Sequence, residues 1–446
     1  MKNKPINIVL FLFILLGYSG CDISENPIDN SRILLSLEDV SVTEAYLHIQ
    51  VNYFYQNEKI VLYRDGKEIA SMTSETSDLM LTDTALTEQT SYHYKAVISN
   101  GNAAVAASKE IQVRTSMPTS HNFTWKKYLI GDYSYSELSD VAIIDGDDIW
   151  AVGIIRLMDS TGNPDTKIYN ALHFDGERCE SKRLLVKDFG NISWYLPLST
   201  VWGNTDNAIW FSTLADLIKW DGNNFSSKAF FGRSLPFYGQ VNKLWGTVDG
   251  NIICVGNKGS IYKCKETDWQ QIQAGTTADI LDVWGVEKGN GEYEIYCPLI
   301  NLNNFMENKI IMIDSRNNIK QIKSNTENLT SSLWTNKGFP IYISGDGIYE
   351  NKKGKWSSVN YGTNSVIERI RGNAPNDIIA VGDYGAVSHY NGLDWKTYPE
   401  LQMDGIYRAV AIKGDIVAIA GIERNRAVLV IGKRNNSSKK LMRKVN

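Results

Sequence analysis

Histidine is the side chain most often used to carry protons near neutral pH, and this chain has only five. His48, His93 and His121 are scattered. His173 and His389 occupy one repeated setting, in Leu172-His173-Phe174-Asp175-Gly176 and Ser388-His389-Tyr390-Asn391-Gly392. A histidine that returns with a repeat is held there by structure, so a serine–histidine–aspartate catalytic set is not expected. Carboxylate pairs could cleave glycosidic bonds. Asp140, Asp279 and Glu368 each precede an inner strand of a repeat, so they could face a common axis; each also suits a cap or turn. Asp145-Gly146-Asp147-Asp148 and Asn373, Asn376 and Asp377 offer oxygens that suit calcium, but both groups fall at tight turns. Beyond Cys21, the cysteines Cys179, Cys254, Cys264 and Cys297 form no Cys-x-x-Cys motif and no His-Cys cluster, which argues against zinc. Cys254 and Cys297 stand where Ala380 stands elsewhere, so they are expected to be buried free thiols. No metal, cofactor or catalytic residue is predicted.

The elements that would position any site come from a returning phrase. Val201-Trp202-Gly203, Leu244-Trp245-Gly246 and Val283-Trp284-Gly285 share one pattern, and Trp125, Trp269, Trp356 and Trp395 share another. Such a period marks an array of small sheets. Outer strands centre on Trp125, Cys179, Phe225, Trp269, Ile319, Trp356 and Trp395. The inner strands that follow are anchored at Ala142, Trp202, Trp245, Trp284, Trp334, Arg371 and Val410. The last unit supplies Tyr407–Ile412, Ile416–Gly421 and Ala427–Ile431 and lacks an outer strand. The strand around Phe123-Thr124-Trp125 has no unit of its own. Pairing the two would close a seven-bladed β-propeller and remove its exposed edges.

The chain before this array is different in kind: all 12 tryptophans lie at or beyond Trp125. Residues 32–116 alternate as short strands, as in Tyr46–Val51, with an Asp65-Gly66 hairpin turn. Lys2 and Lys4 precede an apolar run from Ile6 to Leu16, too short to span a bilayer comfortably, and Ser19-Gly20-Cys21 follows. A formal net charge of −4 over 446 residues gives no basic face for nucleic acid. Five basic residues from Arg434 to Lys444 form a polar tail, expected to be disordered.

Three resemblances follow from these motifs. The N-terminal segment resembles a bacterial lipoprotein signal, which implies lipid on Cys21 and a place in the cell envelope at the outer membrane, with surface exposure open. The spacing of Leu86, Thr90, Tyr92 and Tyr94 resembles the fibronectin type III family, which implies an immunoglobulin-like sandwich. Asn376-Asp377-Ile378-Ile379-Ala380-Val381-Gly382 with Asn391-Gly392-Leu393-Asp394-Trp395 resembles Ycf48-like and two-component-regulator-propeller repeats. The expected order is a signal at 1–20, a linker at 21–31, the fibronectin-like module at 32–116, the propeller at 118–434 and the tail at 435–446. The Ser-x-Asp-x-Gly-x-Thr-Trp box of sialidases is absent.

Length variation points to a face. Turns between first and second strands, and between third and fourth, stay short. The insertions Gly131–Leu138, Ile154–Lys167, Val186–Leu198, Phe231–Gly239 and Leu299–Asn308 all belong to the other face. They carry Tyr133, Tyr135, Trp194, Tyr195, Phe237, Tyr238 and Phe305, rings that suit a sugar face or a protein side chain. The expectation is a lipid-anchored binding or scaffold protein whose ligand is a glycan or a protein. The alternative is a polysaccharide hydrolase or lyase on the same ring.

Overall fold

The computed structural model describes residues 29–435, apart from 56, 74–76, 102, 188–192, 206–207, 215, 230–239, 266–267, 302–308, 324–329 and 353–354. The signal segment with Cys21, the tail at 436–446, and Phe237, Tyr238 and Phe305 lie outside the described residues.

Residues 33–114 form two sheets. Ile33–Val40, Ala45–Val51 and Asp78–Asp83 make one; Glu58–Arg64, Lys67–Met72, Ser91–Asn100, Ala103–Ala107 and Ile111–Arg114 make the other. Alternate residues of both sheets, including Leu35, Leu47, Ile49, Leu62, Tyr94 and Ile98, meet in one core. The amide of Thr87 donates to Tyr92 Oη at 2.9 Å, which pins the start of Ser91–Asn100 to the preceding turn.

From Phe123 to Arg434 the described strands fall into a β-propeller array of antiparallel sheets, each but the last built from strands in chain order. Their inner strands are Glu137–Asp145, Thr200–Gly203, Val241–Gly246, Asp279–Ile280 continued by Trp284–Gly289, Thr330–Thr335, Ile367–Ala374 and Gly405–Lys413. Second strands such as Asn251–Gly256 and Asp377–Gly382 are buried at every residue, because a neighbouring sheet covers each face. That is why they read as unbroken apolar runs rather than alternating ones. The outer strand Lys355–Val359 is exposed or half-buried throughout.

The last sheet is completed from the other end of the propeller. Phe123–Ile130 pairs antiparallel with Arg426–Arg434, from Phe123 opposite Arg434 to Ile130 opposite Ala427. Trp125 lies opposite Gly432 and covers it, so that a Cβ on Gly432 would sit 2.5 Å from Trp125 Cε3.

The Trp-Gly phrase is an interlock between sheets. The indole of Trp202 lies over Gly246 of the next sheet, Trp245 over Gly285, and Trp334 over Gly372. Each glycine is there because the preceding tryptophan occupies the space of its Cβ. Trp284 meets Thr335 instead of a glycine, and its Nε1 donates to the Thr335 carbonyl at 2.7 Å.

Candidate binding face and axial channel

The N-terminal unit meets the array on its short-turn side. Asn336 Nδ2 donates to Asp39 Oδ2 at 2.8 Å and Lys352 Nζ donates to Glu44 Oε1 at 3.1 Å. The Tyr46 ring lies edge-on to Phe339 with centroids 5.7 Å apart. Thr119 Oγ1 donates to the Asn376 carbonyl at 2.5 Å. Asn336, Phe339 and Asn376 belong to turns between first and second strands, and Lys352 precedes a turn between third and fourth strands.

The described insertions lie on the other side, and several predicted aromatic residues gather around the loops of the first sheet. Tyr133 Oη donates to the Asp165 carbonyl at 3.0 Å, joining the first crossover to the long middle hairpin. Lys167, on that hairpin, places its Nζ 5.9 Å from the centre of the Tyr195 ring. Trp194 is 52% exposed and pairs with Val186 in a small hairpin of its own, Val186–Lys187 with Ser193–Trp194. The sequence reading expected only a loop there. Tyr135 Oη donates to Glu137 Oε2. Burial, reinforced by that carboxylate, pushes the Tyr135 phenol up to about 12.

The three carboxylates proposed for the axis separate. Asp140 is fully buried and ion-paired. Lys243 Nζ donates to both its oxygens at 2.6 Å, and Thr200 Oγ1 and the Val201 amide donate to Oδ2 at 2.6 and 3.0 Å. Burial alone would raise its pKa, but the charges of Lys243 and Arg369 and these hydrogen bonds hold it below the ordinary value. Asp279 Oδ1 accepts from the Lys258 amide at 2.8 Å. Glu368 lines the channel and lies 3.6 Å from Arg408, which also donates to Glu137 at 2.8 Å.

What sequence reasoning missed is Asp282 and the cations around it. Asp282 sits in the break between Asp279–Ile280 and Trp284–Gly289. It accepts from Arg371 Nη1 at 2.9 Å and Nη2 at 2.6 Å, from Ser332 Oγ at 2.7 Å, and from the Leu333 amide at 3.1 Å. Against its burial, Arg371 and Arg369 hold the carboxyl far below the usual range. The arrangement repeats the first one. Asp140, Thr200 and Lys243 stand two residues before Ala142, Trp202 and Trp245; Asp282, Ser332 and Arg369 stand two residues before Trp284, Trp334 and Arg371. The channel thus carries one residue per sheet at one level, in the order Asp-Thr-Lys-Asp-Ser-Arg; in the last sheet strand register, not the offset from Val410, puts Ala409 there, opposite Ala420 as Arg369 is opposite Val381. This layer separates a cavity of about 360 Å³ on the long-loop side from one of about 190 Å³ on the short-turn side, where Trp202, Trp245 and Trp284 line the wall. The equal offset from the anchors was the available signal.

The repeated histidines also have partners. His173 Nε2 meets Asp148 Oδ1 at 2.7 Å, and His389 Nε2 meets Asp377 Oδ1 at 2.9 Å. Asp148 and Asp377 open equivalent second strands, so the tight-turn carboxylates are spent on histidines. Among the described residues no three His, Cys, Asp or Glu side chains form a metal-binding group. The four described cysteines are free thiols.

No family model and no curated protein matches this chain. Solved structures do. YCF48 bound to D1 peptide superposes with a TM-score of 0.53 at 13% identity, covering 72% of this chain and 99% of that one. The Pan2 WD40 domain of Neurospora crassa gives 0.46 at 13% identity, covering 70% and 96%. At such identity the YCF48 likeness shows the fold alone: a β-propeller.

Proposed function

We propose that this chain is a non-enzymatic binding scaffold of the bacterial cell envelope. Lipid on Cys21 anchors it at the outer membrane, a fibronectin type III-like module follows, and a seven-bladed propeller presents its long-loop face to a protein partner. The observation that carries the reading is the docking of the N-terminal unit. Its contacts with the array fall on the short-turn side, so a membrane tether at the N-terminus leaves the long loops pointing away. Among the described residues, the seven sheets of four or five strands between Phe123 and Arg434, each counted as one blade, support the blade number. The paired sheets of residues 33–114 and the Thr87–Tyr92 hydrogen bond support the fibronectin-like assignment. YCF48 with its bound D1 peptide favours a protein over a glycan partner.

The test is affinity capture from native envelope extract with the intact chain and with a Trp194→Ala/Tyr195→Ala variant, alongside a glycan array. A partner held by the parent and lost by the variant supports the face. Retention of every partner by the variant refutes it, and binding to glycans alone transfers the reading to sugar. Release of reducing ends from a polysaccharide panel would establish the hydrolase alternative.

A further inference from the structure

Arg369 is the odd member of the axial layer. Lys243, its counterpart in the other half-ring, spends its ammonium on both oxygens of Asp140. Arg369 has no such use, because Asp282 is already saturated by Arg371, Ser332 and the Leu333 amide. It is ion-paired with Asp282, Nη1 to Oδ1 at 2.8 Å, but that contact is too far off line to be a hydrogen bond, and among the described residues no acceptor takes a hydrogen from its buried Nε or Nη1. A guanidinium whose Nη2 is not spent on a protein acceptor is suited to a carboxylate, to which it can offer a charge-assisted hydrogen bond. The side chain is 14% exposed and lines the cavity of about 360 Å³ that opens toward the long loops. That size lies within the ordinary range for small-molecule sites, about 300–1,000 Å³.

The walls above Arg369 add a second requirement. Ser199 Oγ lies 3.1 Å from the carbonyls of both Ser212 and Thr213, and its one hydrogen goes to this pair of acceptors. Ser331 Oγ donates to the Ile367 carbonyl at 2.9 Å. Asn242 Nδ2 donates to Asn257 Oδ1 at 2.7 Å and to the Ile280 carbonyl at 2.9 Å. With their hydrogens committed to protein, the Ser199, Ser331 and Asn242 side chains that line the cavity can offer it only acceptor oxygens, and the Glu368 carboxylate, 3.6 Å from Arg408, lines it as a further acceptor. Leu198, Val241 and Leu281 supply apolar wall between them. A bare inorganic anion would find acceptors where it needs donors. A ligand with one carboxylate and several hydroxyl donors on a compact C–H skeleton matches both halves of the pocket.

We infer that the long-loop end of the axial channel is a binding site for a small polyhydroxylated carboxylate of the sugar-acid class. Arg369 holds the carboxylate, and Ser199, Ser331 and Asn242 accept from the hydroxyls. The site lies below the aromatic loops and is independent of the partner they hold.

The probe is D-glucuronate, titrated calorimetrically into the intact chain, with D-glucose, acetate and an N-acetylated dipeptide with a free C-terminus as comparisons. Glucuronate is expected to bind at least tenfold more tightly than each of the three. Arg369→Met should weaken it at least tenfold, and Ser331→Ala severalfold, with melting curves checking that both variants are folded. Trp194→Ala/Tyr195→Ala should leave glucuronate binding unchanged, which separates failure here from failure of the loop-face reading. Equal binding of glucose removes the role of Arg369, and equal binding of acetate removes the hydroxyl acceptors. Tighter binding of the dipeptide assigns the pocket to peptide ends. Glucuronate binding that survives in a folded Arg369→Met, or its absence from the parent chain, overturns the proposal.

Discussion

Adding one methyl group at Gly285 should be among the more damaging small changes this ring can suffer. A Cβ built there lies 2.5 Å from Trp245 Cδ2, with Trp245 Cε2 and Cζ2 nearer still, so it enters the body of the indole. Trp245 is only 7% exposed and packs in a core with Ile253, Ile280, Val283 and Tyr293, which leaves it little room to withdraw. The backbone at Gly285 is not left-handed, so alanine brings no conformational strain and the whole effect is steric. Overpacking of this kind costs about 1–3 kcal/mol. Contact with ring atoms, rather than with the tip of a flexible chain, places Gly285→Ala near ~3 kcal/mol. At roughly 2 °C per kcal/mol for a domain of this size, the melting temperature should fall by about 6 °C.

The cause is isolated by a double-mutant cycle followed by near-UV circular dichroism. Trp245→Ala alone should cost about 3–5 kcal/mol by opening a cavity. In the double variant the new methyl points into that cavity, so Gly285→Ala should add nothing further. The two changes would then be coupled by ~3 kcal/mol, at the upper end of the range for residues in contact. Gly146→Ala is the control: it has no heavy atom within 4 Å of its Cβ and no left-handed backbone, and should be neutral or slightly stabilising. Additive losses, or a Gly285→Ala protein as stable as its parent, would refute the interlock as the reason for the Trp-Gly phrase.

Asp282→Asn should cost about 3–5 kcal/mol, because it leaves Arg371 and Arg369 buried without a counter-charge; denaturant titration at neutral pH reads it. Since the folded-state pKa of Asp282 is depressed, its stabilising contribution is complete above the unfolded carboxylate value and is lost as pH falls through the folded one. The parent should therefore lose stability steeply below about pH 4, and the variant less so, in thermal melts across that range. Burial lowers the pKa of His389, which faces His121 Nδ1 at 2.7 Å, Asp377 and Thr119, with Arg434 on the far side of Asp377; Asp394 and Lys396 act through His121. A histidine buried neutral makes stability rise with pH between its folded pKa and about 6.5, so the melting temperature should drop from pH 7 to pH 5, and His389→Gln should flatten that slope. Deleting residues 123–130 removes the strand that completes the last sheet; Arg426–Arg434 should then lose its amide exchange protection and the protein should self-associate on gel filtration.

Much of the ring was readable because its scaffold repeats residue types. Trp-Gly returns wherever an indole must cover a glycine, and Ala-Val-Gly returns where a second strand meets a bulge. A Cβ on Gly153, Gly382 or Gly421 would strike the first-strand backbone at Leu138, Ile367 or Tyr407, within 2.9 Å in each case. The unattached strand at Trp125 was readable for the same reason. The docking of the N-terminal unit was not, since it rests on single contacts such as Asn336 with Asp39 that no period announces. Nor was the hairpin at Val186–Trp194, which is too short for alternation to register.

The axial layer escaped for a deeper reason. Sheets related by a ring bring equivalent residues together at the axis, where water is scarce and like charges repel strongly. A residue type that suits one sheet is therefore excluded from its neighbours, and opposite charges with a hydroxyl between them are the arrangement that neutralises the layer. Asp140, Thr200 and Lys243 followed by Asp282, Ser332 and Arg369 satisfy this, with Ala409 filling the remaining place. A search for repeated types sees nothing at this level, because the physics of the axis demands that equivalent positions differ. In an array of this kind the repeated residues report the scaffold, and a register position where types refuse to repeat marks where the sheets meet chemically. Arg371, standing where the four preceding inner strands carry tryptophan, is the clearest departure. By taking Asp282 for itself it leaves Arg369 with donors to spare.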